Sequence, residues 1–325
     1  MNCLRLETMH AAALAVLAVM WGAGCSASAD DVGSSGPTPQ PYPNANTPGP
    51  TAEDGLARLN EYRRLAGLSE VQGDNSGDFA CEGHLDYLIW EAANGKGSCY
   101  LSHTEPNHSN PHYSPENETA GKNSVIACGS TMGMTQSLQQ AVDLWINSLY
   151  HRLPLLDSGL TTVGFASKEG FNCINYRPGT DKANKADRAI VWPADGMYDV
   201  PTSFVGFEAP CPTLPDNPLS TTGFDCKASG FIPTVSWFRW GKMTGEPVVN
   251  LIHDGTGESV ALLAWYGDGV SGHDPAKGYT PSTISLVPQE KLEPNTTYRL
   301  EVDADPGGDG AQSIRTRFTT GDRDR

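Results

Sequence analysis

The sequence predicts an α+β protein, in which a domain of mixed helices and strands precedes an all-β domain. Apolar residues recur at helical spacing through much of residues 51–185, and short β-prone runs lie between the predicted helices. Beyond residue 188 the runs are all short and β-prone, with clusters of Gly, Pro, Asn or Asp between them. These two patterns predict separate folded domains over residues 51–185 and 188–325.

The first fifty residues predict export followed by a flexible connection. An apolar run at 11–21 is too short to span a bilayer and is typical of a signal peptide over residues 1–24. The small residues before Cys25 are typical of a lipobox, so we expect lipidation at Cys25, with ordinary cleavage after Ala29 as the alternative. Residues 25–50 are rich in Ser, Asp, Gly and Pro, which predicts a disordered tether.

The first domain contains predicted helices and strands in alternation. Leu85, Leu88, Ile89 and Ala92 form a stripe along one helix, while Val142, Trp145 and Leu149 form the core face of another. In order, the predicted elements are a helix ending near Gly67, a helix through 85–92, a loop at 98–124, a strand at 124–127, a helix at 136–153, and paired strands at 162–166 and 171–176.

The second domain is predicted to be a β-sandwich. Residues 298–302 and 314–318 alternate apolar and polar side chains, as half-buried strands do. The segment 292–298 resembles the turn before a late strand of immunoglobulin-like or fibronectin-like domains, so we expect an immunoglobulin-like sandwich. The predicted strands are 236–240, 248–252, 259–266, 297–302 and 313–319.

Cysteine usage fits an exported chain with disulfides. The sequence has eight cysteines, of which Cys3 leaves with the signal and Cys25 is the predicted lipidation site. The other six are Cys81, Cys99, Cys128, Cys173, Cys211 and Cys226. Sequence leaves every connectivity open, and pairing of nearest neighbours predicts Cys81–Cys99, Cys128–Cys173 and Cys211–Cys226.

The net charge limits the partners of the chain. At −16 the protein is strongly acidic, which argues against nucleic acid and against adhesion to anionic lipid headgroups. We therefore expect contact with a membrane only through a lipid anchor. The expected location is the outer membrane or cell surface, and otherwise the periplasm or the medium.

Four motifs in order carry a family resemblance. The pattern W-x-x-S-x-x-H-R at 145–152, followed by V-G-F-A at 163–166, resembles the bacterial branch of the CAP superfamily. That superfamily includes cysteine-rich secretory proteins, venom antigens and plant pathogenesis-related proteins. Residues 59–68 and 82–88 resemble its first two helices. The resemblance covers roughly residues 53–180 and implies an α-β-α sandwich.

The resemblance also implies a cleft with two histidines. It makes His103 and His151 the site histidines and possible ligands of a divalent metal such as Zn. The family usually has Gly-Glu-Asn where this chain has Gly121-Lys122-Asn123, and lysine does not replace a carboxylate ligand. Glu105 or Glu116 is the expected substitute. Ser148 completes the predicted cleft, three residues before His151 and on the same helix surface.

The expected function is that of a binding module. No G-x-S-x-G motif accompanies Ser148, and we assign no catalytic residue. The resemblance implies a non-enzymatic extracellular protein that binds a small molecule, a lipid or a protein. One alternative is a metal-dependent hydrolase or peptidase that uses His103 and His151. The other is a structural or adhesive protein of the bacterial cell envelope.

Overall fold

A computed structural model describes eleven parts of the chain, all of which belong to one compact unit. The described residues are 38–43, 52–129, 137–181, 183, 185–204, 208, 211–212, 229–240, 242–267, 282–308 and 310–322. The predicted signal peptide, the predicted lipidation site Cys25 and the cysteine Cys226 lie outside them. No helix in these parts is both long enough and apolar enough to cross a bilayer.

The helices of the described residues lie in the first half of the chain. They are α1 (Ala52–Leu65), α2 (Asn75–Glu91) with a π-helical turn after it (Ala92–Lys96), α3 (Pro115–Lys122), α4 (Leu138–Asn147) and α5 (Arg152–Leu155). Helix α3 lies within the segment predicted to be a loop. Its start has clear signals, because the Ser114 side chain accepts the N–H of Asn117 at 3.0 Å and Pro115 occupies the first turn.

These helices cover both faces of a four-stranded sheet of order β1-β3-β4-β2. The strands are β1 (Gln72–Gly73), β2 (Ser124–Cys128), β3 (Leu160–Lys168) and β4 (Phe171–Thr180). Alternate residues of β2 enter opposite clusters: Val125 packs with α1 and α4 residues, and Ile126 with α2 residues. Gly164 on β3 permits the close approach of α2, since a Cβ there would lie 2.0 Å from the Gly77 carbonyl carbon.

Two disulfides in this half differ from the predicted pairs. Cys81 on α2 bonds to Cys173 on β4, and Cys99 bonds to Cys128 at the end of β2. The predicted Cys81–Cys99 pair is wrong because α2 continues for ten residues beyond Cys81, about 15 Å, before the chain turns back. The predicted Cys128–Cys173 pair is wrong because the register of β2 and β4 places Ile126, and not Cys128, opposite Cys173. Cys211 is also disulfide-bonded, and its pairing with Cys226 stays a prediction.

The second half is rich in β-structure. Its described strands are β5 (Ile190–Trp192), β6 (Met197–Val200), β7 (Ser203–Phe204), β8 (Ser229–Gly230), β9 (Thr234–Ser236), β10 (Thr244–His253), β11 (Leu262–Tyr266), β12 (Thr283–Pro288), β13 (Thr297–Asp305) and β14 (Gln312–Thr320). Two four-stranded sheets have the orders β10-β13-β14-β6 and β11-β12-β9-β5, and β7 pairs with β8. Residues 298, 300, 302 and 304 of β13 point into the core shared by the two sheets. The immunoglobulin-like character of this half stays a prediction.

A segment expected to belong to the tether packs between the two halves. Tyr42 is buried, and its ring lies 5.9 Å from Tyr62, 5.5 Å from Trp192 and 6.0 Å from Phe231 between centroids. Its hydroxyl donates to Asn147 at 2.7 Å, and its N–H donates to the Tyr198 carbonyl at 2.6 Å. The expectation of disorder over residues 25–50 is therefore wrong for 38–43, because one aromatic side chain buries enough surface to fix the segment.

A buried arginine also joins the halves. Arg152 in α5 donates from Nη1 to the Ile232 carbonyl at 3.0 Å and from Nε to the Ser148 carbonyl at 3.1 Å. Burial lowers the pKa of the Arg152 guanidinium to about 10. One apolar cluster contains side chains from both sides of residues 185–188, so the first half and the second half share a continuous core.

Candidate functional site

A cavity of about 310 Å³ lies where the loop before α3, strand β2, the α4–α5 connection and the second half meet. His103 and His151 both line it, and we call it the histidine cavity. Phe238 and Trp240, which follow β9, supply aromatic surface from the second half. The remaining lining residues are Lys122, Ser124, Val125, Tyr150, Leu153, Pro154, Asp157, Tyr176, Lys185 and Thr283.

Glu208, from the second half, fixes the position of His151. This carboxylate is only 2% exposed and accepts the backbone N–H groups of Leu149 at 2.6 Å, Tyr150 at 2.5 Å and His151 at 3.3 Å. Its Oε1 atom also lies 3.0 Å from His151 Nδ1. A carboxylate only accepts, so Nδ1 carries a proton, and in the neutral ring Nε2 then holds the free electron pair.

The same carboxylate accounts for the end of α4. The sequence predicts a helix as far as Leu153, whereas α4 ends at Asn147 and Ser148 adopts an extended conformation. The N–H groups of Leu149 and Tyr150 bond to Glu208 and not to carbonyls of the preceding turn. The expectation that Ser148 and His151 lie on one helix surface is therefore wrong, although the two side chains remain in contact in the turn.

Ser148 supports the histidine and is poorly placed to act as a nucleophile. Its hydroxyl donates to the Trp145 carbonyl at 3.0 Å and lies 3.1 Å from His151 Nδ1. Because Nδ1 already carries a proton, it does not take one from Ser148. The residue is also buried, with 4% of its surface exposed, so a substrate does not reach its hydroxyl.

His103 presents the second imidazole at the edge of the cavity. Its Nδ1 atom donates to the Gly121 carbonyl at 2.8 Å, which leaves Nε2 without a proton. The residue keeps solvent access, yet the protein packed around the ring desolvates its charged form and so lowers the pKa of His103. The hydrogen bond to Gly121 opposes this shift, and the nearby His151 adds to it.

The two glutamates expected beside these histidines lie elsewhere. Glu105 is fully buried, with Oε1 2.8 Å from His84 Nδ1 and Oε2 accepting the N–H of Ser114 at 3.2 Å. Glu116 is exposed in the first turn of α3. Neither lines the histidine cavity. The carboxylate that contacts His151 is Glu208, which no local sequence signal identifies, because it lies 57 residues away along the chain.

The residues present do not fit the metal site that the family resemblance implies. Lys122 stands where that site usually has a carboxylate, and its Nζ atom bonds to Glu118 at 2.7 Å. Asp157, the carboxylate among the cavity-lining residues, is already bound to Lys185 at 2.8 Å. Within the described ranges, no group of three or more His, Cys, Asp or Glu side chains has a metal-binding arrangement.

A second cavity is larger but offers less chemistry. It has a volume of about 640 Å³ and lies between α1, the segment 38–41 and the strands β5 and β6. The arginines in its lining are engaged: Arg64 bonds to Glu70 at 3.0 Å, and Arg188 donates to the Gly67 carbonyl at 2.5 Å. We therefore place the candidate site at the histidine cavity, where two ring nitrogens keep a free electron pair.

Comparison with known proteins identifies the first half. A model of the cysteine-rich secretory protein (CAP) family matches residues 56–176. A search of curated proteins finds no match. Among solved structures, an extracellular protein with an SCP domain from Bacillus anthracis is 21% identical, with a TM-score of 0.27, over 40% of this chain and 44% of that one.

A second likeness is to PcoC, a methionine-rich copper resistance protein from Escherichia coli. It is 18% identical with a TM-score of 0.21, over 28% of this chain and 82% of that one. At these scores the two structural likenesses add nothing to the assignment, which rests on the family match and on the motifs within it. Residues 56–176 of this chain are thus a domain of the cysteine-rich secretory protein (CAP) family.

Proposed function

We propose that this chain is an exported binding protein that holds a small molecule in the histidine cavity without transforming it. The observation that carries the proposal is the composition of the cavity wall. His103 and His151 come from the CAP domain, and Phe238 and Trp240 come from the second half. A volume of about 310 Å³ is at the lower end of the range typical of small-molecule sites.

The lining favours binding over catalysis. The aliphatic hydroxyl groups of the lining are already engaged, since Ser124 donates to the Ala120 carbonyl at 2.6 Å and Thr283 contacts Ser236 at 3.0 Å. Asp157 is paired with Lys185 at 2.8 Å. None of these described groups has the base and orienting acid that activate a nucleophile. The cavity therefore supplies contacts to a ligand and no activated nucleophile.

Export and anchoring are part of the same proposal. The Cys81–Cys173 and Cys99–Cys128 disulfides fit an oxidising compartment outside the cytoplasm. Lipidation of Cys25 would hold the chain on the outer membrane or cell surface, and its absence would leave the protein periplasmic or secreted. In detergent phase separation, we expect the native protein in the detergent phase and Cys25→Ser in the aqueous phase. A native protein found only in the aqueous phase would exclude the anchor.

Ligand-observed NMR tests the binding function. The probes are methyl glycosides of common hexoses, glucuronate, octanoate and tryptophan-containing dipeptides, each offered to the whole chain in metal-free buffer. We expect at least one probe to bind the native protein and the control His108→Phe, whose ring stacks on Tyr113 outside the cavity. The double variant Phe238→Ala/Trp240→Ala should lose that binding. Absence of binding by every probe, or equal binding to the double variant, would overturn the proposed function.

A further inference from the structure

The hydrogen-bond pattern of the two cavity histidines restricts the chemistry of the ligand. Each ring uses Nδ1 as a donor to the protein, His103 to the Gly121 carbonyl and His151 to Glu208. The hydrogen bonds among the described residues do not involve the Nε2 atom of either ring. In the neutral state both rings therefore keep an Nε2 acceptor, to which a ligand in the cavity can donate a hydrogen bond.

The charged groups of the lining are already balanced in pairs. Lys185 lies 2.8 Å from Asp157, and Lys122 lies 2.7 Å from Glu118. The carboxyl group of Asp157 also accepts the N–H of Gly159 at 2.8 Å. A ligand with a full positive charge has no unpaired carboxylate to meet among the described lining residues. A strong anion would have to compete with the existing ion pairs. A neutral ligand needs neither an unpaired carboxylate nor the disruption of these ion pairs.

Aromatic residues form a large part of the remaining lining. Tyr150, Tyr176, Phe238 and Trp240 come from both halves of the chain, and Val125, Leu153 and Pro154 add aliphatic surface. Aromatic rings contact the C–H faces of a ligand, while imidazoles at the same cavity accept its hydroxyl protons. The small volume limits the ligand to about one ring with its substituents.

We infer that the ligand of the histidine cavity is a neutral polyhydroxylated ring, a single sugar unit, whose hydroxyl groups donate to Nε2 of His103 and His151. This inference rests on the proposed function and names the class of molecule bound there. It uses residues from both halves of the chain, because Tyr150 and Tyr176 belong to the CAP domain whereas Phe238 and Trp240 lie beyond it. A sugar bound in this way needs no metal ion, which agrees with Lys122 standing where the metal site of the family usually has a carboxylate.

The dependence of binding on pH separates a sugar from an anion. Protonation of the His103 imidazole turns its Nε2 acceptor into a donor and adds positive charge. Sugar binding should therefore weaken as the pH falls through the lowered pKa of His103, whereas binding of an anion should strengthen. The titratable and charged groups that face these rings or line the cavity are His84, Lys122, Tyr150, Arg152, Asp157, Tyr176, Lys185 and Glu208.

Titration calorimetry tests the inference on the whole chain with methyl glycosides of glucose, galactose, mannose and N-acetylglucosamine. We expect one or more to bind at about pH 7.5 in the presence of a chelator, and to bind more weakly at about pH 5. Replacement of one acceptor, in His103→Phe or His151→Phe, should weaken binding about two- to tenfold. The matched control His108→Phe should bind like the native protein.

Other outcomes distinguish this inference from the proposed function. Binding of glucuronate that strengthens at about pH 5, with no binding of neutral glycosides, would overturn the sugar and indicate an anion site. Binding of octanoate or a dipeptide alone would also overturn the sugar, while the proposed function would stand. Glycoside binding that both His→Phe variants retain in full would place the sugar elsewhere and refute the inference. If no probe binds, both the inference and the proposed function fail.

Discussion

Replacement of Glu208 by alanine should destabilise the folded chain strongly, although the residue lies outside the CAP domain. Its carboxylate accepts the N–H groups of Leu149 and Tyr150 at 2.6 and 2.5 Å in a site where Glu208 is 2% exposed. Each buried N–H that loses its acceptor costs about 1–3 kcal/mol, so the two together cost about 2–6 kcal/mol. We expect the free energy of unfolding to fall by about 3 kcal/mol or more in Glu208→Ala.

Urea unfolding measures this loss in the free energy of unfolding, and two further variants serve to assign its cause. Glu208→Gln keeps one acceptor oxygen but directs an NH₂ group at the second N–H, so its loss should be intermediate. The control Glu246→Ala removes an exposed carboxylate from β10 and should change the free energy of unfolding by less than about 0.5 kcal/mol. A loss below about 1 kcal/mol in Glu208→Ala would refute the assignment of Glu208 as the group that fixes the His151 turn.

Three further predictions concern the CAP domain. The protein packed around the His103 ring lowers its pKa below the value of about 6.5 for an unfolded chain, so the native state binds fewer protons than the unfolded state between the two pKa values. Stability should therefore fall as the pH drops through that window. Urea unfolding at several pH values gives the free energy of unfolding as a function of pH. This free energy should change less steeply with pH in His103→Phe than in His108→Phe, and an equal pH dependence in the two variants would exclude the pKa shift. Gly121→Ala would place a Cβ 2.4 Å from the His84 ring, so it should lower the stability by about 1–3 kcal/mol. The control Thr119→Ala changes an exposed residue and should lower the stability less. Thermal unfolding measures both, and equal unfolding midpoints for the two variants would contradict the packing of Gly121 against His84. Peptide mapping without reduction should recover Cys81–Cys173 and Cys99–Cys128, and recovery of Cys81–Cys99 would show that the arrangement of α2 on the sheet is wrong.

Local patterns in the sequence predicted the elements that depend on neighbours along the chain. The stripe through Leu85 and Leu88 faces the core in α2, and Val142 and Trp145 do so in α4. The V-G-F-A motif is explained by packing, because Gly164 admits the backbone of α2. These features follow from periodicity and side-chain volume, which a single sequence contains.

Features that depend on distant contacts could not be predicted in this way. The end of α4 depends on Glu208, 59 residues beyond Leu149, and nothing near Ser148 reports that contact. The disulfide pairs depend on which face of the sheet α2 covers. Tyr42 looked like part of a polar tether, yet it fills a gap between three aromatic rings from both halves.

The candidate site was predicted in part. His103 and His151 line one cavity, whereas Glu105 and Glu116 do not take part in it. The sequence predicts Phe238 and Trp240 only as part of a strand, whereas both line the histidine cavity. Three aromatic residues within 237–240 depart from the alternation of a half-buried strand. This departure from alternation is the feature of the sequence that could have indicated a role for residues 237–240 beyond that of a strand.

Long-range ¹H–¹⁵N NMR of histidine-labelled protein at about pH 7.5 can test the proposed sugar site at the two rings themselves, because it reports the protonated nitrogen of each ring. We expect His103 and His151 both to carry the proton on Nδ1, and the methyl glycoside that binds to shift the Nε2 signals of both rings. The His108 signals should not move. A proton on Nε2 of either cavity histidine, or Nε2 signals that do not respond to the bound glycoside, would refute the placement of the sugar in the histidine cavity.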